Sequence, residues 1–405
     1  MRYIERKDYL NWLVRHRDRQ IVKVVSGVRR CGKSTLFAIY GQYLREHGVA
    51  GERIVSINFE DISHEELWDY RALYRYVEAR LVPEAKTYVF LDEVRHVPDF
   101  QKAVDSLLLK ENCDLYLTAS NACFMSGEPA TPGRYVELEM LPLSFGEFCA
   151  GLNEEESRLS GNEKLDLYIR LGSFPHVHKY GLGQEDARDY MRAVYEGVLF
   201  NDIVKRFHVA DVNMLEEVTR FLLRNIDYRT SPASIAKAMT SRGRKIDPKT
   251  VDRYLHGLTE GLLFFQARRY NIRGRELLFS INKFYVADVA LRNMLVRTSS
   301  SDIGHILENL VYLELRRRGY QVFVGQLGAD GEVDFVAIRD GRPEYYQVAA
   351  TTLSEDVLVR ELAPLHKIRD NYPKYLLTLD TVFAESEYSG IQKKNALNWM
   401  LAQDV

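Results

Sequence analysis

The stretch GVRRCGKST, residues 27–35, constrains the fold of this chain more than any other part of the sequence. It matches the pattern GxxxxGK[ST], follows the apolar run IVKVVSG at 21–27 and precedes the helical stretch FAIYGQYL. Glycines in such a loop let backbone N–H groups wrap a phosphate, and the helix N-terminus adds positive potential. The stretch therefore predicts a phosphate-binding loop between a strand and a helix, against the alternative of a glycine-rich turn without a ligand.

The loop predicts ATP and Mg²⁺ as cofactors. Lys33 is expected to reach the β- and γ-phosphates, and Ser34 to hold Mg²⁺. Of the two loop arginines, one is expected to contact nucleotide and the other solvent, while Cys31 is expected to be a small packed residue. The predicted binding residues of the loop are Gly27, Arg29, Arg30, Cys31, Gly32, Lys33, Ser34 and Thr35.

Short apolar runs recur along the first 180 residues, separated by segments that suit crossover helices. They are IVKVVSG (21–27), RIVSINF (53–59), TYVFLDEV (87–94), DLYLTAS (114–120) and YVELEMLPLS (135–144). They are apolar throughout rather than alternating, which is typical of strands buried on both faces of a parallel sheet. The predicted fold class is α/β, with a P-loop parallel-sheet module at residues 1–183.

Polar residues at the ends of these runs are candidates for catalysis. Asp92 is expected to anchor the Mg²⁺ shell and Glu93 to polarise the attacking water, the alternative being an acidic pair that caps the next helix. Asn121 is placed to sense a γ-phosphate or to orient water. Arg134 either inserts its charge into a neighbouring subunit's site or forms an ordinary ion pair.

Composition limits what else the chain can be. With 405 residues, 46% of them hydrophobic, it is long enough for two or three packed domains. The net charge of −2 gives no global attraction to nucleic acid, so any basic surface must be local. The charged N-terminus is unlike a signal peptide, no apolar stretch has the length of a membrane span, and the four cysteines form no CxxC motif. We therefore expect a cytoplasmic protein with free thiols and no membrane partner.

The remainder of the chain changes character twice. Residues 184–300 predict amphipathic helices and then a winged helix-turn-helix, in which ASIAKAM and KTVDRYLHGLTEGLL are the helices and a turn at 271–274 forms the wing. Residues 301–405 predict a small mixed α/β domain. The predicted architecture is thus an ATPase module, a helical and winged-helix middle domain, and a nuclease-like C-terminal domain.

Several stretches resemble, in order, the motifs of a large prokaryotic family of AAA-type P-loop ATPases with an extra C-terminal domain of unknown function. They include GVRRCGKST, YVFLDEV, LYLTASNA, GRYVELEMLPLSFGEF, YIRLGSFPHV and ENLVYLEL, so the resemblance covers nearly the whole chain. It implies Lys33 and Ser34 as phosphate and metal contacts, Asp92 and Glu93 as metal carboxylate and base, Asn121 as sensor, Arg134 as arginine finger and Pro175 as a nucleotide contact. It also implies a homo-oligomer, for which a ring is one arrangement, because an arginine finger acts in trans.

Basic residues cluster around the predicted wing. A helix-turn-helix lays its second helix in the major groove while flanking cations contact phosphates, so duplex or branched DNA is the expected partner. The alternative is a winged helix used for subunit packing or as a nucleotide lid. The candidate nucleic-acid contacts are Lys245, Lys249, Arg253, Arg268, Arg269, Arg273 and Arg275.

The terminal domain resembles the PD-(D/E)xK nuclease fold, with Glu308 on a helix and Asp334 on a strand. Active members need Asp followed by Glu-x-Lys to hold Mg²⁺ and activate water. Here Gln347 stands at the second carboxylate position and Ala349 at the lysine position, while Lys367 lies on a later helix. The sequence therefore predicts a degenerate nuclease domain.

The sequence as a whole favours an ATPase that couples hydrolysis to DNA binding or remodelling. Two alternatives stay open: a nucleotide-gated switch that binds protein partners, and an ATP-regulated nuclease.

Overall fold

The computed structural model describes residues 4–120, 133–296, 302–328 and 331–402, without the side chain of Ser280. The chain forms two compact units, one of Met1–Pro142 with Glu260–Leu262, the other of Leu143–Thr259 with Leu263–Val405. Within the described ranges, no helix combines the length and apolar character needed to cross a membrane.

The first unit is a parallel sheet with flanking helices. Its helices are α1 Lys7–Arg15, α2 Lys33–Glu46, α3 Tyr70–Glu78 and α4 Phe100–Leu108. Its strands are β1 Val22–Ser26, β2 Ile54–Asn58, β3 Thr87–Asp92, β4 Cys113–Ala119 and β5 Tyr135–Glu139. Four of these strands lie inside an apolar run of the sequence and β4 begins one residue before its run, so the prediction of an α/β parallel sheet is confirmed.

The strand order of this sheet is β2-β3-β4-β1-β5, with every neighbouring pair parallel. Every residue of β1, β3 and β4 is buried, as expected for central strands covered on both faces. Because β4 lies between β1 and β3, the segments that follow these strands meet at the carboxyl edge of the sheet.

At the opposite, amino edge the sheet contains a buried ion pair. Lys23 on β1 pairs with Asp114 on β4, both side chains are fully buried, and Lys23 Nζ also donates to Arg19 O at 2.6 Å. The Tyr116 hydroxyl donates to Asp114 Oδ2 at 2.8 Å and lies 3.1 Å from the Tyr40 hydroxyl. Burial lowers the pKa of Lys23, an effect that the Asp114 carboxylate opposes.

The second unit begins as a helical region. Its helices are α5 Phe145–Gly151, α6 Glu154–Ser157, α7 Gly161–Leu171, α8 Pro175–Tyr180, α9 Gln184–Gly197, α10 Lys205–Phe207, α11 Val212–Arg224, α12 Pro232–Ser241, α13 Pro248–Glu260, α14 Val289–Leu295, α15 Ile303–Arg317, α16 Glu355–His366 and α17 Ala396–Leu401. A π-helical segment, Val198–Val204, joins α9 to α10. The capping residue Ser231 and Pro232 start α12 as the sequence predicts.

Its strands form one mixed sheet. They are β6 Phe264–Asn271, β7 Glu276–Val286, β8 Gln321–Gln326, β9 Glu332–Arg339, β10 Arg342–Ala349, β11 Lys374–Thr378, β12 Ser386–Tyr388 and β13 Ile391–Asn395. The order is β12-β13-β11-β10-β9-β8-β6-β7. A core that includes Leu327, Val336 and Leu365 packs within this part of the unit.

This sheet changes the interpretation of the predicted wing. The helices α12 and α13 and the hairpin β6–β7 occur in the predicted order, but β6 pairs in parallel with β8, for example Arg269 with Val324. The hairpin is therefore an edge of the terminal sheet rather than a separate wing. Strands from both sides of residue 300, where the sequence places a boundary, belong to the same sheet.

Candidate active site

The phosphate loop packs tightly against the backbone at the ends of β4 and β5. The Gly27 amide donates to Ala119 O at 3.1 Å, and a Cβ at Gly27 would lie 2.3 Å from Met140 O and 2.8 Å from Cys31 Sγ. Any side chain at position 27 would therefore displace backbone. Gly32, which precedes α2, has φ +111°, a conformation that favours glycine.

Arg6 supports the loop and was not found by sequence reasoning. Its buried guanidinium donates to Cys31 O at 3.2 Å and to Leu141 O at 2.9 Å, and lies 4.5 Å from the centre of the Tyr9 ring. The Cys31 side chain is fully buried, and burial raises the pKa of its thiol. Cys31 therefore packs inside the loop as an inert thiol.

Lys33, the first residue of α2, is buried and turned towards the strand ends. Its Nζ donates to Gly27 O at 3.0 Å and to Ser120 Oγ at 2.9 Å, and lies 3.5 Å from Glu93 Oε1. The N-terminal amides of α2 follow directly, in the position where a helix binds anions.

Asp92 is held by hydroxyl groups. Thr118 Oγ1 donates to Asp92 Oδ1 at 2.5 Å, and the Ser34 hydroxyl also hydrogen-bonds this carboxyl group. Burial raises the pKa of Asp92, and the two hydroxyl groups partly oppose that effect. The exposed Ser34 hydroxyl beside a carboxylate is a pair of hard oxygen donors, so these residues fit Mg²⁺.

Glu93 follows β3 in a left-handed conformation, with φ 52°. Its amide donates to Thr118 Oγ1 at 2.8 Å, and its carboxylate accepts a hydrogen bond from Ser120 Oγ. Burial would raise the pKa of Glu93, but Lys33, Ser120 and Arg29 outweigh burial and lower it. Glu93 is therefore ionised at neutral pH, as a general base must be.

Thr118 and Ser120 were not singled out from the sequence. They lie two residues apart at the end of β4, so their side chains point to the same face of the sheet. Thr118 hydrogen-bonds the Asp92 carboxyl group and the Glu93 amide, and Ser120 connects the Glu93 carboxylate to Lys33. The alternation rule applied to DLYLTAS is the signal that could have identified them.

The other loop residues occupy different environments. Arg29 forms an ion pair with Glu60, with NH1 2.6 Å from Oε1, whereas Arg30 is exposed and has φ 72°. Thr35 is half-buried in the first turn of α2. Asn121 lies outside the described residues, so its role as a sensor stays a prediction.

Arg134 lies at the amino edge of the sheet, away from the phosphate loop. Its carbonyl accepts from the Val22 amide at 2.9 Å, and the steps from Val22 to Ser26 span about 13 Å of strand. Its NH1 is 3.6 Å from Asp105 Oδ1, and both side chains are more than a third exposed. The ordinary ion pair, which is one of the two alternatives for Arg134, is therefore present. The arginine-finger role stays a prediction.

Pro175 starts α8 in the second unit. Just before it, Gly172 has φ 83°, and the Ser173 amide and hydroxyl donate to Asp288 Oδ2 at 2.5 and 2.6 Å. Asp288 is fully buried, and a Cβ at Gly172 would lie 3.1 Å from its carboxylate. The turn before Pro175 is therefore fixed by packing, and its contact with nucleotide stays a prediction.

The predicted nucleic-acid residues divide into two groups. Arg269 is half-buried and donates to Gln326 Oε1 at 2.8 Å, so its guanidinium is engaged in the terminal sheet. The exposed candidates are Lys245, Lys249, Arg253, Arg268, Arg273 and Arg275.

A parallel sheet whose carboxyl edge joins a phosphate loop, its lysine and two strand-end acids defines a nucleotide-binding P-loop ATPase of the AAA type. Comparison with family models agrees with this class. Residues 19–149 match an AAA domain, and residues 162–302 match a domain of unknown function (DUF8612).

Comparison with individual relatives defines the family of the chain more closely. An uncharacterised protein of Haemophilus influenzae is 33% identical over 402 residues, covering 98% of each chain. An uncharacterised protein of Methanocaldococcus jannaschii is 28% identical over 314 residues, covering 74% of this chain and 67% of its own. The chain therefore belongs to a prokaryotic family of AAA-type P-loop ATPases with an additional C-terminal region.

Solved structures with detectable similarity include two archaeal proteins. A Walker-type ATPase of Pyrococcus abyssi is 14% identical, with a TM-score of 0.49, and the match covers 72% of this chain and 95% of that one. The ORC2 protein of Aeropyrum pernix in its ADP form is 12% identical, with a TM-score of 0.33, covering 76% and 92%.

Proposed function

We propose that this protein is a Mg²⁺-dependent ATP hydrolase that couples turnover to DNA binding or remodelling. The observation that carries the hydrolase proposal is the hydrogen-bonded group at the carboxyl edge of the first sheet. Lys33, Glu93 and Ser120 contact one another there, and Thr118 joins Asp92 to the same group. This arrangement supplies a phosphate-binding cation, oxygen donors for a metal and an ionised base.

The residues have separable roles in this proposal. Lys33 exchanges its contact with Gly27 O for the nucleotide phosphates, since an anion is a better partner than a carbonyl for its ammonium group. Glu93 accepts a proton from the attacking water once Ser120 releases its carboxylate. Ser34 and Asp92 would hold Mg²⁺, which when bound neutralises charge on the phosphates.

The hydrolase proposal is tested with Glu93→Gln and Lys33→Ala. We expect Glu93→Gln to bind ATP normally but to lose at least about 100-fold in turnover, which is the usual contribution of a positioned base. Lys33→Ala should lose nucleotide affinity. Glu66→Gln, at an exposed acid of the same unit, is the matched control and should behave as wild type. Normal turnover in Glu93→Gln would show that another group is the base.

We propose that Arg134 acts in the active site of a neighbouring subunit of a homo-oligomer. Its exposed position at the amino edge, distant from its own loop, supports action in trans. Mixing Arg134→Ala with Glu93→Gln should restore part of the activity that each lacks alone, because mixed oligomers contain sites with both groups intact. If the mixture stays inactive although subunits exchange, Arg134 is an ordinary partner of Asp105.

The DNA proposal rests on the exposed cations of α13 and the hairpin. DNA binding to such a surface should weaken with salt, and each phosphate contact adds about one to the slope of log affinity against log salt. Arg253→Ala should reduce that slope by about one, while Arg188→Ala, an exposed arginine on α9, should leave it unchanged. DNA should also raise ATP turnover.

A nucleotide-gated switch for protein partners is the second candidate. The contacts of the Glu93 carboxylate with Ser120 and Lys33 favour this function. While these groups hold the carboxylate it cannot accept a proton from water, so ATP is hydrolysed slowly until Glu93 is released. The DNA-coupled function is excluded if duplex, branched and single-stranded DNA all leave ATP turnover unchanged and show no salt-dependent binding. That result would favour the switch.

A further inference from the structure

A buried lysine lies in the carboxylate cluster of the second unit, which we define as Glu308, Glu332 and Asp334. Lys283 Nζ is 2.9 Å from Glu308 Oε1 and 2.9 Å from Glu332 Oε1. Burial alone would lower the pKa of Lys283, but the three carboxylates of the cluster, together with Asp227, outweigh burial and raise it. The ammonium group therefore stays charged inside the protein.

Lys283 supplies the cation that the sequence pattern lacks. The nuclease pattern calls for a lysine two residues after Gln347, where this chain has Ala349. Lys283 comes instead from β7, the outer strand of the hairpin that joins the terminal sheet. No spacing rule connects Lys283 to Asp334, so a sequence pattern does not identify it.

Other polar atoms of the cluster are engaged by protein groups, and Glu332 Oε2 also pairs with Arg229 Nε. The Tyr285 hydroxyl donates to Glu308 Oε1 at 2.6 Å, and the Val348 amide donates to Asp334 Oδ2 at 2.8 Å. Gln347 accepts from the Asp334 amide at 3.4 Å and donates to Glu361 Oε2 at 3.0 Å. These protein donors, together with the Lys283 ammonium group, engage oxygens that a metal ion would need as ligands.

A nuclease-like fold implies Mg²⁺, and these residues do not fit it. Mg²⁺ requires oxygen ligands in near-octahedral geometry. Across the described ranges, no three side chains of His, Cys, Asp or Glu are placed to share a metal ion. An ammonium group between Glu308 and Glu332 would also repel a second cation at close range.

We propose that the Lys283 ammonium group takes the place of the metal ion in this nuclease-like domain, so that the site binds no divalent cation and cleaves no nucleic acid. The carboxylates then serve to hold β7 and α15 against β9. This inference is independent of the ATPase proposal, because every residue that it uses belongs to the second unit.

The test measures Mn²⁺ binding to the full chain in the absence of nucleotide. Electron paramagnetic resonance reports how much Mn²⁺ is bound. Wild type and Asp334→Asn should be indistinguishable. Lys283→Ala should bind Mn²⁺ at least about tenfold more tightly than wild type and gain thermal stability from it, because the freed carboxylates are metal ligands. Lys283→Ala combined with Asp334→Asn should lose that gain, and Lys283→Arg should resemble wild type.

If Lys283→Ala does not fold, measurements on the wild-type protein and Asp334→Asn still test the proposal. A Mn²⁺ site in wild type that Asp334→Asn abolishes would overturn it. Cleavage of supercoiled or linear DNA by wild type in Mg²⁺ or Mn²⁺, lost in Asp334→Asn, would overturn it as well. A folded Lys283→Ala protein without any gain in Mn²⁺ affinity would show that the lysine is an ordinary ion-pair residue.

Discussion

Thr118→Val removes one hydroxyl group that connects the two acids of the candidate active site. Thr118 Oγ1 donates to the Asp92 carboxyl group and accepts from the Glu93 amide, and the side chain is fully buried. Valine has a similar shape, so the change deletes two hydrogen bonds with little change in packing. It leaves a buried N–H without a partner and deprives Asp92 of a donor.

The expected loss can be estimated from these two contacts. An unsatisfied buried amide costs about 1–3 kcal/mol, and a hydrogen bond to a charged group contributes about 1.5–3 kcal/mol. Asp92 keeps its hydrogen bond from Ser34, and burial already favours its protonated form. The loss of stability should therefore lie in the lower half of the range obtained by adding these two contributions. We expect the free energy of unfolding to fall by about 3 kcal/mol.

Urea denaturation and steady-state ATP turnover check this estimate together. Thr118→Ser is the matched control, since it keeps the hydroxyl group and loses a methyl group, at a cost of about 1 kcal/mol. Turnover should fall at least about tenfold in Thr118→Val, with a smaller change in KM, because the hydroxyl orients the acids rather than the nucleotide. Equal stability and turnover in the valine and serine variants would refute the assigned role of the hydroxyl.

Two further predictions concern stability. Burial lowers the pKa of His178 to about 4, and its Nε2 is buried without a hydrogen-bond partner in the described structure. A lowered histidine pKa means that the unfolded chain binds the proton first, so wild type should lose stability as pH falls from about 6.5 towards 4. His178→Phe should lose less over that range in urea titrations, and identical pH profiles would contradict the shift. Asp114→Asn should destabilise the first unit by about 3–5 kcal/mol, because it leaves Lys23 charged and buried. Lys23→Met combined with Asp114→Leu should recover much of that loss in calorimetry, and no recovery would show that the pair has no net coupling.

Much of the first unit could be predicted from the sequence, and the reason is physical. Strands buried on both faces need continuous apolar runs, and a phosphate loop needs glycines at fixed spacing, so both leave local patterns. The positions of Lys33, Asp92 and Glu93 at one edge followed from those patterns.

The missed residues depend on contacts between distant parts of the chain. Arg6 reaches the loop across 25 residues, and Lys283 meets Glu308 through the pairing of a helix with a strand. Lys23 lies within an apolar run and gives no sign that Asp114 neutralises it. Such pairs are determined by strand order, which propensity and periodicity do not encode.

The pairing of β6 with β8 has a practical consequence for dissecting the protein. A fragment that ends near residue 300 contains α12, α13 and the β6–β7 hairpin but lacks β8, so it exposes the hydrogen-bonding edge of β6. It also lacks Glu308 and Glu332, the partners of Lys283. Unpaired strand edges promote aggregation. DNA binding by this region should therefore be measured with a fragment that starts near residue 143 and retains the whole terminal sheet.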